Sequence, residues 1–342
     1  MKTYKTSEGR MTESDIAKMA ASKGVRAAAK KLGLPKSTVS DIGRRVRRES
    51  DKELEIRMVK EGALMGLPYC VNESPVCAPP PIFQSLRSEI RHRPKLLVIP
   101  DAHAHPDHDN NRFVALGRFI NSERPDYVVS IGDFADMPSL SSYDRGTRGF
   151  EGRRYRRDVE ATLDAQERMF REVSEPTKIA WHKCLGNHED RIDRATNAHS
   201  ELFGTIGTDD LGYREFGWEV HPYLSPIKLH GIMFCHYFAS GVLGRPIGGI
   251  NVGAALCNKL HQSAVQGHSH VFNHAEATRP DGQKIFGMSV GCFSHPGHIE
   301  GWNAATHHNW WRGVVVLDDL DGEGYYDQIR CITLRKLMRD YL

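Results

Sequence analysis

Short apolar runs in this chain repeatedly stop on residues that ligate metal ions, and that repetition narrows the possible folds more than any other feature. Leu96-Leu97-Val98-Ile99 leads to Asp101-Ala102-His103, Tyr127-Val128-Val129-Ser130-Ile131 leads to Gly132-Asp133, and Ile179-Ala180-Trp181 leads toward Gly186-Asn187-His188-Glu189. Further on, Ile232 to Cys235 ends at His236, and Ala264 to Gln266 ends at Gly267-His268-Ser269-His270. Runs of this length read as buried strands, with helical stretches between them at about Asn110 to Asn121 and Arg154 to Val173. Alternating β and α units predict an α/β sheet, and polar groups just past its strand ends fit the rule that such sheets bind ligands at their carboxyl edge. The later runs, at Ile232 to Cys235, Ala264 to Gln266, His274 to Thr278, Lys284 to Val290, Val314 to Leu317 and Tyr325 to Leu334, come with turns at Pro280-Asp281-Gly282 and Asp321-Gly322. The later strands are expected to pair antiparallel.

The residue types are those that a pair of divalent cations requires. Two ions about 3.5–4 Å apart need a bridging carboxylate flanked by imidazole and oxygen donors, and Asp133 is the natural bridge. In order and spacing the five segments resemble the signature of the calcineurin-like metallophosphoesterase superfamily, which runs D-x-H, G-D, G-N-H-D/E, a lone His and G-H-x-H. The resemblance implies a four-layer αββα metallophosphoesterase sandwich over residues 95–342. It also implies that Asp101, His103, Asp133 and His270 hold one ion, and Asp133, Asn187, His236 and His268 the other. Mn²⁺ is the expected metal, with Fe, Zn or Ni as alternatives, because mixed His, Asp and Asn ligands discriminate weakly between them. Residues two apart in an extended loop share a side, so His268 and His270 are each expected to reach a different ion. Gly132, Gly186 and Gly267 are expected to let the backbone turn sharply beside the ligands.

Two such cations lower the pKa of a bridging water toward ~7, supplying hydroxide for in-line attack on phosphorus. By the same resemblance His188 is not a ligand but a general acid for the leaving oxygen, or a donor to a phosphate oxygen. In the Ser/Thr phosphatase branch the second motif extends to G-D-x-x-D-R-G. Here Asp136 matches the Asp that orients the histidine, while Met137-Pro138 replace Arg-Gly, which points away from a phosphoprotein phosphatase. Asn187 and Arg191, just past the Asn-His-Glu turn, are the candidates for substrate contact. Arginines 145, 148, 153, 154, 156 and 157 form either a phosphate cradle or a solvated helix face balanced by Asp144, Glu151 and Asp158. Gly248 to Gly253 reads as a loop near the mouth of the site rather than a dinucleotide loop. His307-His308-Asn309-Trp310-Trp311-Arg312 offers rings for base stacking or for core packing. His105, His108, His295 and His298 are left without a role.

Residues 1–50 carry 13 Lys/Arg against 5 Asp/Glu and the rest 33 against 38, so a chain of net charge +3 is basic only at its start. Helices are expected from Thr12 or Ser14, from Val25 to Leu32, and from Ser37 onward, with Gly33 and Pro35 in the turn. Ala-Ala-Ala-Lys-Lys-Leu-Gly-Leu-Pro-Lys-Ser-Thr-Val-Ser resembles the helix-turn-helix of DNA-binding domains. That resemblance assigns Lys36, Ser37, Thr38 and Ser40 to base edges or phosphates and Arg44, Arg45, Arg47 and Arg48 to backbone neutralisation. The alternative is a solvated basic bundle that binds protein.

The 342 residues thus divide into a small all-α helix-turn-helix domain (1–50), a helix and proline-rich linker (51–94) and a catalytic domain (95–342). Seven cysteines without a C-x-x-C pair, no apolar leader and no run approaching the ~20 apolar residues of a membrane span suggest a cytoplasmic protein. The expected activity is a metal-dependent phosphodiesterase or nuclease acting on nucleic acid, most simply DNA. A phosphomonoesterase for nucleotides or phosphoproteins is the alternative, and a non-catalytic DNA-binding regulator a third reading.

Overall fold

The structure, a computed structural model, describes residues 3–23, 25–40, 42, 46, 93–299 and 307–342. Contacts divide the chain into two compact units, Met1–Pro80 and Pro81–Leu342. The expected helix and proline-rich linker lies, except for Arg93 and Pro94, outside the described residues, as do Arg44, Arg45, Arg47 and Arg48.

The first unit is not all-α. Strands β1 (Thr3–Thr6) and β2 (Gly9–Thr12) form a hairpin before helices α1 (Glu13–Lys23) and α2 (Val25–Leu32), and residues 36–40 are helical. Alternation explains the hairpin that four-residue strands hid from the sequence reading. Tyr4 and Met11 pair across it and pack on the cluster of Ile16, Ala28 and Leu32, while Gly9 takes the positive φ of 103° that closes the turn. Thr12 caps α1, its Oγ1 accepting the Asp15 N–H at 3.2 Å. Gly33, at φ 62°, ends α2.

In the second unit, β3 (Leu96–Ile99), β4 (Tyr127–Ser130), β5 (Ala180–Cys184) and β6 (Glu219–His221) run parallel in a six-stranded sheet. Strands β14 (Gly313–Leu320) and β15 (Tyr326–Thr333) extend it antiparallel beyond β3, giving the order β15-β14-β3-β4-β5-β6. A five-stranded sheet joins β7 (Ile227–Leu229), β8 (Ile232–Cys235), β11 (Ala264–Gln266), β12 (Phe272–Thr278) and β13 (Lys284–Val290) in the order β12-β13-β11-β8-β7. The later strands are therefore not all antiparallel, because β11 pairs parallel with both β8 and β13. The crossover between β8 and β11 runs through a two-stranded ribbon, β9 (Ala239–Ser240) with β10 (Arg245–Pro246), and a helix.

Period-two alternation sets the packing. Leu96 and Val98 face a core shared with Phe234, Val265, Phe286 and Met288 of the second sheet. Leu97 and Ile99 face helices α3 (Asn111–Glu123), α4 (Tyr155–Arg171) and, past β15, the C-terminal α7 (Leu334–Tyr341), through Phe113, Leu116, Met169 and Leu337. Between β5 and β6 lies α5 (Asp190–Ala198), and α6 (Val252–Leu260) covers the second sheet through Val252 and Leu256. Strands buried on both faces read as continuous apolar runs, and each fully buried Val, Leu or Ile contributes roughly 1.5–3 kcal/mol. No described helix is long and apolar enough to cross a membrane.

Candidate metal centre

Each expected ligand sits just past a strand: Asp101 and His103 after β3, Asp133 after β4, Asn187 after β5, His236 after β8, and His268 and His270 after β11. The structure gathers them into two groups, Asp101-His103-His270 and Asp133-His236-His268, all buried but the half-buried His268. In the first, His270 Nε2 lies 3.1 Å from both His103 Nε2 and Asp101 Oδ2. In the second, His236 Nε2 lies 2.8 Å from Asn187 Oδ1 and 3.3 Å from Asp133 Oδ2.

His236 Nδ1 donates to the Ile131 carbonyl at 3.2 Å, which turns its Nε2 toward two oxygen acceptors, Asn187 Oδ1 and Asp133 Oδ2. Asp101 Oδ1 is buried with no hydrogen-bond partner. Burial disfavours the charged form of Asp133, but the charges of His236 and His188 overcome this and hold its carboxyl well below the ordinary range. Burial would also depress His236, yet the carboxylate of Asp133 lifts it to about 9. Burial lowers His103 and His268 to about 4, so both are neutral imidazoles at pH 7. Convergent acceptors and neutral imidazoles fit divalent cations.

Backbone conformation aims the side chains. His103, Asp133, His268 and His270 all adopt φ between 45° and 66°, left-handed values that a non-glycine residue takes at a cost and that concentrate at functional sites. The separation of His268 from His270 therefore comes from left-handed turns, not from an extended loop. Only Gly132 of the three motif glycines has positive φ, at 113°. Gly186 and Gly267 are needed for space instead, because a Cβ there would lie 2.1 Å from Asp133 Oδ1 and from Asp101 Oδ1 respectively.

His188 is buried beside the ligands, with Nδ1 2.9 Å from Asp136 Oδ1 and 2.7 Å from the Asp136 carbonyl. Burial and Arg191 push its pKa down, but Asp133 and Asp136 push it up further, and the net shift is upward. Arg191 does not take the expected place facing substrate. Its guanidinium donates to the carbonyls of Asp136 and Met137 at 2.9 and 3.2 Å, and its Nη2 lies 3.1 Å from His188 Nε2. Asn187, by contrast, lines a cavity of about 470 Å³ together with His103, Asp133, His188, Ile247 and Trp310.

The remaining motifs separate. Arg153, Arg156 and Arg157 pair with Asp144, Glu160 and Asp107, the pattern of a solvated face. Trp310 meets the ring of His270 at 4.2 Å, whereas Trp311 packs on Phe272. Gly248 lies at the mouth of the cavity, and Gly253 packs α6 tightly against Gly287.

Three buried charges escaped the sequence reading. Glu189, visible only as the last residue of Gly-Asn-His-Glu, accepts backbone N–H groups from Asp133, Phe134, Ala135 and Gly186. Arg112 binds the carbonyls of Ala102, His103 and Phe293, fixing the first ligand loop. Lys183 lies inside the sheet with its Nζ 3.8 Å from the Phe134 ring centre. A charged residue within an apolar periodic run was the available signal for the last two.

No family model matches the chain. It is 31% identical over 241 residues to the gene 54 protein of Mycobacterium phage L5, a match covering 67% of this chain and 90% of that protein. Among solved structures, a dimetal phosphatase from Danio rerio is similar with a TM-score of 0.33 and 11% identity, over 71% of this chain and 97% of that one.

Proposed function

The chain belongs to the family of the Mycobacterium phage L5 gene 54 protein, and we propose that it is a dinuclear-metal-dependent phosphodiesterase that cuts nucleic acid. The observation that carries this reading is the convergence of Asn187 Oδ1 and Asp133 Oδ2 on His236 Nε2, beside the matching group of Asp101, His103 and His270. Asp101, His103, Asp133 and His270 would hold one divalent ion, and Asp133, Asn187, His236 and His268 the other, Mn²⁺ being the natural choice for this donor set. When bound, such a pair supplies an acidified water and positive charge for the phosphoryl oxygens. We read the two facing sheets and their outer helices as the αββα sandwich of the metallophosphoesterases.

The protein's own groups complete the chemistry. Asp136 accepts the Nδ1 proton of His188 and so fixes which ring nitrogen turns to the cavity. His188 would donate an Nε2 proton to the leaving oxygen, a task suited to an imidazole whose pKa is raised, once Nε2 is released from the Arg191 guanidinium that donates to it at 3.1 Å. Arg191 is a positioning residue that ties His188 to the Asp136–Met137 backbone.

Diester substrates are favoured by the apolar wall of Ile247, Val271 and Trp310, which gives a flanking nucleoside a surface to rest on. Phosphoprotein substrates are disfavoured because Met137 stands where that branch carries arginine. The basic first 50 residues, read as a helix-turn-helix, would supply a second grip on DNA, with Lys36 and Ser37 exposed and Thr38 and Ser40 partly so. Incubation with labelled single- and double-stranded DNA and RNA plus Mn²⁺ tests the proposal. Cleavage of at least one form is expected, and turnover of p-nitrophenyl phosphate alone would overturn it.

A further inference from the structure

The ribbon of β9 and β10 leaves the second sheet just past β8 and His236. Its base is pinned. Ile247 is buried, its N–H donates to the Phe238 carbonyl at 2.8 Å, and its own carbonyl accepts from Gln266 Nε2 at 2.8 Å. Lys259 of α6 donates to Ser240 Oγ at 2.8 Å. From this base Pro246, Ile247 and Gly248 form part of the wall of the cavity that Asp133, Asn187 and His188 also line.

The tip is a tight turn with unusual corners. Ser240 pairs with Arg245, and the Gly244 N–H donates to the Gly241 carbonyl at 3.2 Å, so Val242 and Leu243 occupy the two central positions. Gly241 and Gly244 supply the positive φ, 71° and 60°, that brings the chain round. Turns of this kind ordinarily carry Asn, Asp, Gly, Pro or Ser at their corners. Here Val242 is fully exposed and Leu243 76% exposed. Neither side chain is needed to make the turn, and both hold apolar surface in water, so their gain lies in what they meet.

Charge indicates the occupant. Between Glu219 and Glu276 the chain has no acidic residue, although it has 43 in all, whereas Arg245 on the ribbon and Lys259 on α6 are exposed. Basic side chains without acidic neighbours in sequence suit a polyanion.

We propose that this ribbon is a wedge for duplex nucleic acid: Val242 and Leu243 enter between base pairs beside the phosphodiester bond to be cut, and Arg245 meets a backbone phosphate. Aliphatic side chains, leucine among them, part base steps in this way. The strand so loosened is then free to bend into the cavity at Ile247. The inference rests on the phosphodiesterase reading and adds to it that the preferred substrate is double-stranded.

The full chain and a Val242→Ser/Leu243→Ser variant are compared with Mn²⁺ on a duplex oligonucleotide, on one of its strands alone and on bis(p-nitrophenyl) phosphate. A 2-aminopurine in the duplex reports unstacking by its fluorescence. Both substitutions fall on exposed turn corners, and circular dichroism verifies the fold. The variant is expected to lose about tenfold or more in kcat/KM on the duplex, together with the fluorescence rise, and to stay within about twofold on the single strand and the small diester. Full duplex activity in the variant, or equal losses on duplex and single strand, would overturn the wedge and leave the phosphodiesterase reading intact. A parent that cuts no nucleic acid contradicts that reading instead. The wedge then stands if the parent still raises the fluorescence and the variant does not, and falls if neither does.

Discussion

The carboxylate of Glu189 accepts the backbone N–H of Asp133 at 3.0 Å. Its other bonds, from Phe134 at 2.8 Å, Ala135 at 3.1 Å, Gly186 at 2.9 Å and the Tyr213 hydroxyl at 2.9 Å, lock together the loops that carry Asp133 and Asn187. Glu189→Gln turns one acceptor into a donor that faces other donors. A loss of ~2–4 kcal/mol in urea unfolding is expected, together with weaker metal binding. An unchanged unfolding midpoint would remove Glu189 from this structural role.

His188→Ala leaves every expected ligand in place. Its metal content should match that of the parent, while kcat on a diester falls by roughly 10²–10⁴, the usual range for losing a general acid. Loss of an ion from this variant would make His188 a ligand and contradict the role given to it.

The motif glycines offer a steric test. Gly186→Ala and Gly267→Ala place a methyl 2.1 Å from the carboxylates of Asp133 and Asp101, whereas Gly149→Ala meets nothing closer than 3.9 Å. The first two are expected to lose metal affinity while circular dichroism stays native, and the third to behave as the parent. Titration with Mn²⁺ reads the difference.

Much of this centre is visible in the chain because strand ends and ligands are local signals. The run from Leu96 to Ile99 and the two residues beyond it announce both a buried strand and Asp101. The contacts of Arg112, Glu189 and Lys183 were not visible, because they depend on how loops meet and on distant partners, Phe293 for Arg112, Asp133 for Glu189 and Ser130 for Lys183. Arg191 shows the converse. Its sequence position just past the Asn-His-Glu turn suggested substrate contact, but two nearby carbonyls capture its guanidinium. The hairpin at residues 3–12 and the parallel pairing of β11 depend on tertiary packing, which short strand runs do not encode.

Lys183 is buried among the rings of Phe134, Tyr213 and Trp218, with its Nζ 2.9 Å from Ser130 Oγ. Burial lowers its pKa from 10.5 to about 7. Between about pH 7 and 10 the unfolded chain therefore keeps a proton that the folded one releases, and stability rises with pH by at most ~1.4 kcal/mol per unit. Lys183→Met should abolish that slope in urea midpoints measured from pH 7 to 9.5. Parallel curves for the variant and the parent would show that Lys183 stays charged in the fold.

Asp133 is the one residue expected to serve both ions, so its replacement is the most direct test. Metal content and hydrolysis of bis(p-nitrophenyl) phosphate with Mn²⁺ are measured together for the parent and Asp133→Asn. The variant is expected to lose both ions of the pair and its turnover with them. Retention of the ions, or hydrolysis at the parent rate, would contradict a dinuclear centre bridged at Asp133.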